Sequence, residues 1–162
     1  MSFNNHTYLA IYIIANASAL LMIWLGWKQP RILKMVVLLV FGWASWTNWN
    51  EALTAPQFYL EYAPLTFFGF YRNFIEGWFS SHITVAVGTI ATFQAIIALS
   101  MLAKGRILVT GAIGAIIFLL AIAPLGVGAA CPCTVLMALA VGLLLPPSLR
   151  KKDRRFLHTV TS

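Results

Sequence analysis

Charge is what this sequence has least of. Of 162 residues, only 9% are Asp, Glu, Lys or Arg, and just four are acidic, whereas a soluble domain carries about 25% charged residues. Water cannot solvate a surface so poor in charge, which excludes a soluble globular protein and a disordered chain. Two cysteines are too few for a disulfide-rich secreted module. Three histidines leave thin material for haem, and only His82 falls inside an apolar block. No H-E-x-x-H, nucleotide-binding glycine pattern or Ser-His-Asp set is present. The apolar residues also lack the period-two alternation of a membrane barrel.

What is there is apolar: 60% of the chain is hydrophobic and 14% aromatic, gathered into long blocks. Helices and closed barrels alone satisfy their backbone groups in lipid, so the expected fold is all-α, a polytopic bundle of transmembrane helices. A helix needs about 20 residues to cross the hydrocarbon. On that length the spans fall at Tyr8 to Trp27, Met35 to Leu53, His82 to Ala103, Ile107 to Leu125 and Ala130 to Pro146. Pro124, Gly126, Gly128 and Pro132 divide the last apolar stretch into two. The whole chain reads as one domain.

The net charge of +7 supports this count. Lys28, Arg31 and Lys34 form one basic cluster, Lys104 and Arg106 a second, and Arg150, Lys151, Lys152, Arg154 and Arg155 a third. Five spans put all three on one side and Glu51, Glu61 and Glu76 on the other. The positive-inside rule then places the N-terminus outside and the basic tail, residues 149–162, in the cytoplasm, as expected of a bacterial inner-membrane protein. No basic residue precedes the first span, so a cleaved signal peptide is not expected. The charge is explained by the lipid bilayer and not by nucleic acid.

Two regions carry candidate chemistry. Residues 54–81, on the outer side, are crowded with rings that favour the membrane interface. They are expected to lie along the surface as an anchor or to fold over the bundle as a lid. Asn48 and Glu51 at the outer end of the second span, with Arg72 and Glu76 in this segment, are the polar outer-face candidates. Thr47, Asn48 and Glu51 share a helix face, Arg72 and Glu76 stand at i, i+4, and Glu51 is positioned to meet Arg72.

The second region is Ala-Cys-Pro-Cys-Thr at the start of the last span. Cys131 and Cys133 have three open readings: packing, redox exchange, or binding of a soft cation such as copper, with Met137 and His82 as further ligands. Cys-Pro-Cys resembles the membrane motif of copper-transporting P-type pumps, but the chain has none of their ATPase domains. Small residues along the third and fourth spans are read as close-packing surfaces.

From about Ile32 to Arg155 the layout resembles the DoxX-like family of small membrane proteins. The resemblance rests on the helix Met35 to Leu53, the aromatic segment ending FIEGWF, the block ILVTGAIGAIIFLLAIAPLG and a short last helix before a basic tail. It implies a four-helix core, to which Tyr8 to Trp27 adds an N-terminal helix. SWTNWNEA stands where the family's first helix often ends in Gly-x-x-Lys. The family includes a small subunit of a thiosulfate:quinone oxidoreductase, redox-associated membrane proteins and assembly factors. The resemblance thus implies an accessory subunit of a thiol-, quinone- or sulfur-linked redox system, with quinone or copper as cofactor and other membrane subunits as partners. A copper-binding or transport protein and a non-catalytic scaffold are the alternatives. A stand-alone enzyme is not expected.

Overall fold

A computed structural model describes residues 5–125 and 131–145. Every regular element among them is helical. In chain order these are α1 (Asn5–Lys28), α2 (Pro30–Thr54), a 3-10 helix (Pro56–Leu65), α3 (Gly69–Phe74), a π turn (Ile75–Phe79), α4 (Ile83–Ser100), α5 (Gly105–Ile122) and α6 (Cys133–Gly142). Three helical stretches are long and apolar enough to cross a membrane: Pro30–Thr54, Ile83–Ser100 and Gly105–Leu125. Tyr12–Lys28 and Cys133–Gly142 are shorter apolar helices. At 1.5 Å per residue, α6 is about half as long as the hydrocarbon is thick.

The large helices form a closed ring in which α1 touches α2, α2 touches α4, α4 touches α5, α5 touches α6, and α6 returns to α1. Neighbours joined by short turns run antiparallel. Ser45 Oγ donates to Ala91 O (2.7 Å) and Thr84 Oγ1 to Ala52 O (3.1 Å), which fixes α2 against α4. Cys133 Sγ, at the start of α6, lies 3.3 Å from Ala15 O near the middle of α1, while Gly26 meets Leu143 near the ends of both helices. These two helices therefore run parallel and close the ring.

Lys34 Nζ donates to Ala103 O at 3.0 Å. This bond brings the α1–α2 and α4–α5 turns to one end, and with them the first two basic clusters. The third cluster lies outside the described residues. Residues 28–34, left between the first two expected spans, are not a loop: Gln29 alone joins α1 to α2. Proline suits the first helical position, where its missing N–H is harmless, so α2 starts at Pro30 and carries Arg31 and Lys34 on its first turns.

Inside the ring, Leu33, Val37, Met101, Ala112, Ala115 and Val141 are buried. Small residues set the spacing, with Gly111 pressed on Ser100 between α4 and α5. The outer faces are equally apolar: Leu39, Trp43, Leu99, Ile117 and Leu139 are each at least 60% exposed. Helices apolar all round suit a lipid surround.

Residues 56–79 fold back over the end opposite the basic turns. There Ala52, Ala63, Ile75, Phe79, Ile83 and Val87 form a second, smaller core. Phe67 N–H donates to Pro124 O (3.0 Å) and Tyr71 hydroxyl to Ala121 O (2.9 Å), so this cap is tied to the end of α5.

Candidate functional site

Between the cap and the helices α2, α4 and α5 lies a cavity of about 300 Å³, at the lower end of the roughly 300–1,000 Å³ typical of ligand pockets. Phe74, Ile75 and Phe79 line it from the cap, Val87 and Ile90 from α4, and Phe118 and Ile122 from α5. Its polar lining consists of Asn48, Gln94 and the tyrosines 59, 62 and 71; among the described residues no charged side chain lines it.

Those polar groups are ordered. Tyr59 hydroxyl donates to Asn48 Oδ1 (2.9 Å), and Asn48 Nδ2 donates to Gln94 Oε1 (2.7 Å). Tyr59 and Tyr62 stack with ring centroids 6.3 Å apart. Burial, reinforced by the charge of Glu51, pushes both phenols above their ordinary range. Both are protonated at neutral pH, as an ordinary tyrosine is, and the shift extends that state further into the alkaline range.

The sequence candidates fall unevenly around this site. Asn48 lines it. Glu51 stands beside it as the charge acting on the two tyrosines. Arg72 and Glu76 are exposed, and Arg72 Nε donates to Ala63 O at 3.3 Å. The expected Glu51–Arg72 pair does not form, because the carbonyls of the cap lie nearer to Arg72 than α2 does. The aromatic segment folds back over the helix ends and covers the cavity, while Phe67, Phe68 and Phe70 remain exposed on it.

The soft-metal set is not gathered. His82 sits at the start of α4, stacked on Trp78 at 4.7 Å with Nδ1 2.9 Å from Trp78 O. Cys131 and Cys133 stand at the start of α6 against α1, and α5 lies between α4 and α6 in the ring. Met137 packs on the bundle core. Among the described residues, no three of His, Cys, Asp and Glu cluster as a metal site. The two cysteines are free thiols, Cys131 half-buried and Cys133 buried. Tyr12 hydroxyl donates to Cys131 O, and Asn16 Oδ1 and Thr134 Oγ1 are buried with no hydrogen-bond partner among the described residues.

Gln94, Tyr59, Tyr62 and Tyr71 were not singled out by sequence reasoning. Gln94 carried a usable signal, since it is the one amide within the apolar run ITVAVGTIATFQAIIALS of α4. A polar residue at such depth is a functional hypothesis by default. The tyrosines gave none, being lost among the aromatics of the segment. Comparison with protein-family models, curated proteins and solved structures finds no match.

Proposed function

We propose that the chain is an accessory integral-membrane subunit of a redox system, and that it holds a small, neutral, lipophilic molecule beneath the aromatic cap. The cavity carries this reading. Its walls are apolar, its few polar groups converge, and the absence of charge among its lining residues favours an uncharged guest. Among the described residues no thiol, imidazole or carboxylate lines it, which supports a binding role over stand-alone catalysis.

The five-span arrangement belongs to the same proposal. The alternating directions of α1, α2, α4, α5 and α6, with two basic clusters at one end, favour a cytoplasmic basic end and an outer cap. The cavity then lies at the outer leaflet, where a membrane-dissolved molecule can reach it.

Purification of the full chain from its native membrane in mild detergent, with mass spectrometry of small molecules and proteins that accompany it, tests this. A neutral lipophile should be recovered together with redox subunits. Recovery of partner subunits with no such molecule would favour a scaffold instead.

A further inference from the structure

We propose that the basic end of the bundle binds the phosphate headgroup of an anionic phospholipid, with Arg31, Lys104 and Arg106 as its contacts and Lys28 at its edge. The leaflet at that end supplies the lipid, whichever side of the membrane it faces.

One hydrogen bond assembles the site. Lys34 Nζ donates to Ala103 O at 3.0 Å, so the first turns of α2 stand against the turn that carries Lys104 and Arg106. Arg31 precedes Lys34 by three residues and shares its face of α2. Lys28 ends α1, next to the Gln29 joint. Half-buried Lys34 is used in holding the two turns together, and it alone of the five has a side-chain hydrogen bond among the described residues. Lys28, Arg31, Lys104 and Arg106 are exposed.

Charge complementarity identifies the occupant. Glu51 lies about 30 Å along α2 from Arg31 at 1.5 Å per residue, and Glu61 and Glu76 belong to the cap at the far end. Charges so far apart are screened, because the Debye length is about 8 Å at physiological salt. Four exposed cations thus share one end with no described carboxylate to offset them. The same helix ends are apolar toward the surround: Trp24, one turn before Lys28, and Trp27, Ile32 and Ile107 are each at least 47% exposed. Tryptophan and aliphatic groups there suit the interface and the acyl chains, and Lys and Arg suit the phosphate. A soluble anion would use only the cations; a phospholipid uses both parts.

Native mass spectrometry of the full chain tests this, after delipidation in detergent and titration with phosphatidylglycerol or phosphatidylcholine of matched acyl chains. Phosphatidylglycerol should bind at least about fivefold more tightly than phosphatidylcholine. Arg31→Gln and Arg106→Gln, both changes of exposed side chains, should each weaken phosphatidylglycerol about fivefold and leave phosphatidylcholine unchanged. Arg72→Gln removes the same charge at the cap end and should alter neither. Ammonium phosphate should displace the lipid no better than ammonium acetate of equal ionic strength; stronger displacement would make this a soluble-anion site and overturn the lipid. Equal binding of the two lipids, or equal weakening by Arg72→Gln and the basic-end variants, would overturn the site itself.

Discussion

Replacing Gly111 by alanine drives a methyl group into Ser100 where α4 and α5 approach most closely. A Cβ built on Gly111 would stand 2.5 Å from Ser100 Cβ and closer still to its Oγ. Carbon atoms in contact prefer about 3.5–4.0 Å, so the helices must part by about 1 Å. The hydroxyl cannot easily swing away, since Ser100 Oγ donates to Ile97 O at 2.6 Å. Overpacking of this kind costs about 1–3 kcal/mol. For a chain of this size that corresponds to a fall in Tm of roughly 2–12 °C, readable by tryptophan fluorescence during heating in mild detergent. The rescue pattern is specific: Ser100→Ala removes the closest atom but keeps the Cβ and should restore part of the loss, whereas Ser100→Gly removes both and should restore more. Wild-type melting of Gly111→Ala, or equal rescue by both second-site changes, would refute the α4–α5 register.

Tyr59 and Tyr62 make stability pH-dependent on the alkaline side. Their folded pKa values are raised, so their contribution is complete below the unfolded value near 10 and is lost as pH rises through the folded values. Glu51→Gln should move both titrations down, followed by tyrosinate absorbance, yet leave them above 10 because burial is the larger cause; no movement would remove Glu51 from the site. Reporter fusions after Gln29, Lys104 and Ser162 should all read cytoplasmic, and an external reading for the last would cut the number of spans to four. A membrane-impermeant maleimide should label half-buried Cys131 before buried Cys133, with the second thiol reacting only after denaturation; simultaneous labelling would contradict the seating of Cys133 on Ala15.

The helical class was legible because burial in lipid leaves a strong trace: apolar blocks of span length with basic ends. The boundary near Thr54 was legible from Pro56, and that between the third and fourth spans from Lys104-Gly105-Arg106. The start of α2 was not, because a basic cluster marks a membrane end whether it sits in a loop or on a helical turn; only Pro30 carried the distinction. Asn48 could be read as polar at depth, but its partner could not. Pairing with Gln94 depends on the register of α2 against α4, which is set by packing of Ser45 on Ala91 and not by any local signal. The same holds for Arg72. Helix spacing offered it Glu76 and span order offered it Glu51, yet the fold-back of the cap gave it the Ala63 carbonyl.

The central claim, that the capped cavity is a ligand site, is tested most directly by filling it. Ile90, half-buried in its wall, is replaced by tryptophan, and both proteins are released from native membranes for native mass spectrometry. The wild type should carry a bound small neutral molecule, and Ile90→Trp, folded and melting near the wild type, should carry none. Equal occupancy in the two proteins, or none in either, would contradict the claim.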